Sequence, residues 1–301
     1  MALIIDKNLP AYQILKSENI NIMDKLNYNK NTNKLKLIIL NLMPKKIEAE
    51  TQILRVLGKS FIDLEITFLK TESYKSKNTS NDHLNKFYKT FSEIKDHNFH
   101  GMIITGAPVE LMDFERVDYW EELKNIMDYC NKKVRSTIFI CWAAQAALYY
   151  YYDINKYSLN KKLFGVFPHK ISKENSLLTK GFDDEFYVPH SRYTYIRKED
   201  IKRCKDIEII SESEEAGLYL MQSNNLKKIF ISGHCEYDRY TLYEEYIRDI
   251  NKNKHIDIPK NYFKENNLNK KPIMRWRCHG ETLFLNWIQL LEKLSRILRY
   301  K

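Results

Sequence analysis

Cys141 stands between an apolar run at residues 137–140 (TIFI) and a helix-favouring stretch at 142–148 (WAAQAAL), the pattern of a strand that turns sharply into a helix. At such an elbow the side chain is lifted clear of the sheet. The first N–H groups of the helix can hold an oxyanion, and the positive helix end favours a thiolate. Position alone favours a buried cysteine at the end of a core strand, because free cysteine is among the most buried residue types. A base partner has to decide, and residues 229–238 (IFISGHCEYD) supply one: an apolar run leads through Gly233 to His234, with Glu236 two residues further on. Residues two apart on extended chain point the same way, so Glu236 can orient and charge-balance the imidazole of His234 for a nucleophile brought from elsewhere in the fold. His-x-Glu is common by itself; with a cysteine elbow in the same chain it points to nucleophilic catalysis. His83, His97, His100 and His255 lack such company and read as surface loop residues. A third cluster, 181–193 (GFDDEFYVPHSRY), is dense in turn formers and fits either a substrate loop or a structural turn with an Asp-Asp cap. Asp183 and Asp184 lack the spaced oxygen ligands of a calcium loop, and the five cysteines contain no C-x-x-C pair, so no metal site is expected.

The elements that would position these groups alternate. Residues 35–42 (LKLIILNL) predict a buried strand, and 43–46 (MPKK) turn into an amphipathic helix in which Ile47, Leu54 and Leu57 share a face before Gly58. Residues 64–69, 101–105 and 137–140 predict further strands, with helical spacing over 113–130 between the last two. Strand and helix in alternation imply a mostly parallel sheet covered on both faces, an α/β fold. In the second half, 207–210, 217–221 and 228–232 are short strands joined by turns, which predicts an antiparallel portion. Residues 241–250 form a helix with Thr241 as N-cap and Glu244 at capping-box spacing, and 281–298 a final amphipathic helix. Residues 1–34 read as a polar lead-in with a short helix at 10–17 and a loop at 27–33, ahead of a single α/β domain over 35–301.

The chain has 301 residues, 44% hydrophobic and 13% aromatic, enough to bury a full core. No apolar run approaches the ~20 residues of a membrane span, and residues 1–6 carry no charged leader with a cleavage site. The five widely spaced cysteines suit free thiols in a reducing compartment. A soluble, cytoplasmic protein is expected, with no membrane partner. The formal charge of +10 comes from lysines spread through Asn-rich stretches instead of one stripe, which argues against nucleic acid.

Taken together, these segments resemble the homoserine O-acyltransferases of methionine biosynthesis, the succinyl- or acetyl-transferring group with a class I glutamine-amidotransferase-like (flavodoxin-like) fold. The resemblance runs nearly end to end. It is carried by 40–52 (LNLMPKKIEAETQ), 78–91, 101–109 (GMIITGAPV), 141–148 (CWAAQAAL), 162–167 with His169, 181–193, 232–238, Arg248-Asp249 and 276–287. It implies that Cys141 takes the acyl group from coenzyme A as a thioester, that His234 deprotonates the homoserine hydroxyl, and that Glu236 supports it. Lys46, Lys162 and Ser191 match substrate-site residues, and Arg248 matches the arginine expected to bind the amino-acid carboxylate. Glu110 matches the position where glutamate goes with acetyl-CoA and glycine with succinyl-CoA. The implied reaction uses acetyl-CoA as co-substrate and L-homoserine as acceptor, with no other cofactor, in a homodimer. Two departures stand out: Cys235 replaces the usual proline after the catalytic histidine, and Tyr195 stands where many acetylating members carry glutamate. A glutamine-amidotransferase-like cysteine hydrolase would use the same three groups, but the elbow lacks G-x-C-x-G, having Phe139 and Ala143 at the outer positions. An intact Cys141, His234, Glu236 and Arg248 set also argues against a noncatalytic binding relative.

Overall fold

The computed structural model describes residues 1–28 and 34–297. The chain order is β1 (Leu3–Ile5), α1 (Pro10–Ser17), β2 (Ile22–Asp24), β3 (Lys34–Leu40), α2 (Lys46–Leu57), β4 (Asp63–Leu69), α3 (Asn81–Phe87), β5 (Tyr88–Lys89), α4 (Phe91–Ile94), β6 (Phe99–Ile104), α5 (Trp120–Lys133), β7 (Val134–Ile140), α6 (Trp142–Tyr152), β8 (Tyr157–Ile171), β9 (Glu185–Tyr195), α7 (Lys198–Arg203), β10 (Ile207–Ser213), β11 (Gly217–Ser223), β12 (Lys228–Ile231), α8 (Thr241–Ile250) and α9 (Arg277–Ile297).

Alternation along β3 explains the layering. Leu35, Leu37 and Ile39 pack with α1, α2 and α9 on one face, while Ile38 and Leu40 pack with α5 and α6 on the other. A strand apolar on both sides has to lie inside a sheet covered by helices. The sheet order is β2-β1-β4-β3-β6-β7-β12-β11-β10-β8-β9, with β5 pairing β4. The strands from β2 to β12 run parallel; β11, β10, β8 and β9 add antiparallel ladders. From β3 the chain moves first to β4 and then back to β6 on the other side. That reversal opens a crevice at the carboxyl ends of β3 and β6, where α/β sheets bind ligands.

Several expectations change. Residues 1–34, read as a lead-in, supply β1, α1 and β2 to the same sheet: Leu3, Ile4 and Ile5 are buried, and the Ala2 N–H donates to Asp63 Oδ1 at 2.8 Å. The apolar run at 2–5 was too short to stand out as a strand. Residues 29–33 of the loop expected at 27–33 lie outside the described residues, as does residue 298 of the final helix. Much of 181–193 is strand, because Phe186, Val188 and His190 alternate inward along β9. Ile47 is 39% exposed, apart from the buried Leu54 and Leu57. Thr241 is the first residue of α8 and not its cap; its Oγ1 accepts from the Asp238 N–H at 3.1 Å and from Gln52 Nε2 at 2.9 Å. Among the described residues no helix is long and apolar enough to cross a membrane, and no group of three His, Cys, Asp or Glu is placed to hold a metal.

Helix α9 locks the face opposite α5 and α6. Phe284, Ile288 and Leu291 are fully buried, and each such side chain removes apolar surface worth about 1.5–3 kcal/mol from water. Just before the helix, the Trp276 indole N–H donates to the Tyr237 carbonyl at 2.8 Å. At Gly280 a Cβ would sit 2.5 Å from the Cys235 carbonyl oxygen. Gly280→Ala therefore sets a gain of about 1 kcal/mol in helix propensity against a backbone clash of about 1–3 kcal/mol. We expect the clash to win, lowering the urea midpoint. A raised midpoint would mean that α9 is not pressed against the chain beside His234.

Candidate active site

Strand β7 ends at Ile140 and α6 begins at Trp142, so the turn is made by Cys141 alone, with φ 54° and ψ −114°. This is a strained conformation for a residue with a side chain. It is held by the Cys141 N–H, which donates to the Ile231 carbonyl at 2.6 Å, and by the Cys141 carbonyl, which accepts from the N–H groups of Ala144 and Gln145 at 3.0 and 3.3 Å. As the first N–H groups of α6, those of Trp142 and Ala143 have no intrahelical acceptor and are available to an oxyanion.

β12 runs beside β7, with Ile231 opposite Ile140, and carries the chain out to His234 next to the elbow. His234 shares the wall of one cleft with Cys141, and its Nδ1 is 2.7 Å from Glu236 Oε1. The ring stacks on Tyr237 with centroids 4.1 Å apart, and its backbone N–H donates to the Pro189 carbonyl at 2.8 Å. Burial pushes the imidazole toward the neutral form, but the charges of Glu236 and Cys141 outweigh it and hold the pKa well above its ordinary value. Gly106, just beyond β6, completes the floor: a Cβ there would meet the Cβ of Cys141 at 3.3 Å and Cε1 of His234 at 3.6 Å.

Cys141, His234 and Gly106 line a cleft of about 790 Å³ whose lining also includes Glu110, Lys162, Ser191 and Arg248. Lys162, from β8, buries its side chain and pairs with Glu245 at 2.8 Å and Asp249 at 3.2 Å. Ser191 donates to Glu245 Oε1 at 2.8 Å. Arg248, half-exposed, binds Asp249 through Nε and Nη2 at 3.0 and 2.8 Å and Glu245 through Nη2 at 3.1 Å. Its Nη1 remains available to a ligand. Burial raises the Asp249 carboxyl, but Arg248 and Lys162 more than offset it and keep the group below its ordinary range. Burial raises the Glu110 carboxyl, opposed by the Tyr193 N–H and by Lys162. The Lys156 ammonium ties down the Glu110 loop, donating to the carbonyls of Glu110 and Met112.

Lys46 is not brought into this lining. Its ammonium is buried against the carbonyls of Asn41 and Met43, and burial pushes its pKa down to about 8. His83 is not a surface loop residue either: it lies buried on α3 with Nε2 2.7 Å from Glu50 Oε1. Sequence reasoning missed Glu245, the carboxylate that joins Lys162, Ser191 and Arg248. Its position three residues before Arg248 on one helix face was the available signal. It also missed Arg192 and Tyr193, whose surroundings depend on β9 being a strand.

The family model described as homoserine O-succinyltransferase matches residues 2–294. The chain is 53% identical over 289 residues to homoserine O-acetyltransferase 1 of Ilyobacter polytropus and 54% identical over 289 residues to homoserine O-acetyltransferase of Clostridium acetobutylicum, covering 96% of each chain in both cases. Among solved structures, a glutamine amidotransferase from Thermotoga maritima matches with TM-score 0.57 at 12% identity, covering 86% of this chain and 99% of that one. A glutamine amidotransferase from Methylobacillus flagellatus matches with TM-score 0.53 at 12% identity, covering 85% and 94%. At that identity the likeness establishes the class I glutamine-amidotransferase-like fold alone, whereas the family match spans almost the whole sequence: the chain belongs to the homoserine O-succinyltransferase family.

Proposed function

We propose that the protein transfers an acetyl group from acetyl-CoA to the hydroxyl of L-homoserine, giving O-acetyl-L-homoserine for methionine biosynthesis, through a thioester on Cys141. The observation that carries this reading is the Cys141–His234–Glu236 array at the elbow, opening onto a cleft with paired cations and carboxylates. The Cys141 thiolate attacks the acetyl carbonyl, the oxyanion is held by the N–H groups opening α6, and coenzyme A leaves with the proton from His234. Acylation removes the negative charge on sulfur, one of the two charges that raise the imidazole. His234, having given its proton to coenzyme A and no longer held protonated by the thiolate, is neutral and free to take the proton of the homoserine hydroxyl as it attacks the thioester. Cys141 departs as thiolate and the ester is complete. Arg248, Lys162 and Ser191 serve the amino-acid acceptor. Lys46 serves indirectly, by bracing the turn after β3.

The donor is assigned through Glu110. A carboxylate there repels the terminal carboxylate of a succinyl group and leaves acetyl unaffected, in line with the acetyl-transferring names of the relatives. Cytoplasmic location and a homodimeric state belong to the same reading, supported by the resemblance and by five free cysteines.

The first test is thiol release from acetyl-CoA with L-homoserine. Turnover should require homoserine and fall by roughly a thousandfold or more in Cys141→Ser; undiminished turnover in that variant would remove the thioester mechanism. Glu110→Gly should shift the succinyl-CoA to acetyl-CoA rate ratio toward succinyl by about tenfold, the equivalent of ~1.4 kcal/mol, and an unchanged ratio would sink the charge argument. A third test uses stability. The folded pKa of His234 lies above the unfolded value of about 6.5. Its stabilisation is therefore complete below about pH 6.5 and lost as the pH rises through the folded value. The stability difference between wild type and His234→Asn, measured by urea unfolding, should shrink as the pH is raised above about 6.5; a constant difference would contradict the Glu236–His234 coupling.

A further inference from the structure

The loop after β6 begins at Gly106 against the elbow, and its residues 106–112 all line the cleft. The Met112 N–H donates to the Val109 carbonyl at 3.0 Å, so residues 109–112 close a tight turn with Glu110 inside it. Pro108, Leu111, Met112 and Asp113 are exposed, and their side chains give the turn little packing to rest on. Its anchor comes from outside the cleft. Lys156, in the segment between α6 and β8, donates from Nζ to the Glu110 carbonyl at 2.5 Å and to the Met112 carbonyl. The same ammonium lies 4.4 Å from the centre of the Phe114 ring, a favourable placement for a cation. That ring is buried and stacks on Trp120 of α5 and Tyr149 of α6, with centroids 5.4 and 4.8 Å apart. The ammonium is therefore seated on a rigid aromatic platform, and from there it grips two carbonyls of one turn.

Each residue has only two soft backbone torsions, so fixing the carbonyls of Glu110 and Met112 leaves the Glu110 backbone little room to rotate its side chain out of the cleft. We propose that Lys156 is a positioning residue for donor choice: it pins the 109–112 turn and thereby holds the Glu110 carboxylate where the terminal carboxylate of a succinyl group would come. The inference rests on the donor role given to Glu110 above. Lys156 acts through the loop and not through its charge, and the sign of the effect tells the two apart. A cation near the cleft attracts a donor with a carboxylate tail, so loss of the charge alone turns the choice further toward acetyl. Release of the Glu110 carboxylate turns it toward succinyl.

The test is the ratio of succinyl-CoA to acetyl-CoA rates, each with L-homoserine, in Lys156→Met, which keeps the aliphatic stem and loses the ammonium. The ratio should rise by about threefold or more, less than in Glu110→Gly because the carboxylate is loosened and not removed. Lys156→Arg, which can still donate to both carbonyls, should stay near the wild-type ratio. Placed in the Glu110→Gly background, Lys156→Met should change the ratio no further, as a residue acting through Glu110 must. Hydrogen exchange over residues 107–113 should quicken by about tenfold in Lys156→Met, since a charge-assisted anchor is gone. Unchanged exchange there would overturn the proposal, as would a ratio shifted toward acetyl or a further shift in the Glu110→Gly background. Two donor rates that fall together at constant ratio would show a merely structural role and overturn it as well. A ratio that moves in Glu110→Gly but not in Lys156→Met defeats this inference alone, whereas a ratio unmoved in Glu110→Gly defeats the donor assignment and this inference with it. Should Lys156→Met fail to fold, Lys156→Gln, neutral and shorter, carries the same expected outcomes.

Discussion

The parallel pairing of β7 with β12 is the constraint on which the site depends. Cys141 occupies a backbone conformation that costs about 1–3 kcal/mol, and it persists because its N–H is held by the carbonyl of Ile231, the last residue of β12. The same register, Ile140 opposite Ile231, delivers His234 three residues later. One ladder both stabilises the strained Cys141 and brings up the imidazole of His234. A slip of two residues would preserve the inward and outward alternation of both strands and still separate the pair.

The antiparallel end of the sheet supplies what a parallel doubly wound core does not. Most of residues 189–194 of β9 meet a part of the site. Pro189 receives the His234 N–H, the His190 ring lies against Gly233, Ser191 joins Glu245, Tyr193 lines the cleft, and Thr194 holds Gln145. In an extended chain, neighbouring residues face opposite sides, so a single strand can serve the cleft with one set and the buried network beneath it with the other.

Much of this was legible in the sequence wherever local pattern and function coincide. The run into Cys141 and the Gly233-His234 step announce themselves by apolar strands that stop abruptly. What was not legible depends on long-range pairing. β8 and β9 carry polar and aromatic residues because they lie partly over a cleft, so their periodicity is blurred and 181–193 looked like turn. Lys46 was singled out only through the family resemblance, and local pattern held no sign that its ammonium is buried against the carbonyls of Asn41 and Met43. His83 looked exposed because nothing nearby in sequence reveals that Glu50, 33 residues away, waits for it in the core.

The cluster formed by Lys162, Arg248, Glu245 and Asp249 contains two charges of each sign, already paired with one another. A molecule that arrives with one positive and one negative end can trade partners within such a set and leave no charge stranded, whereas a plain anion or a plain cation would always orphan one member. In the function proposed above, selection of the acceptor by these four groups is a matter of electroneutrality as much as of shape: the cleft is arranged as a quadrupole, and its natural complement is a dipole.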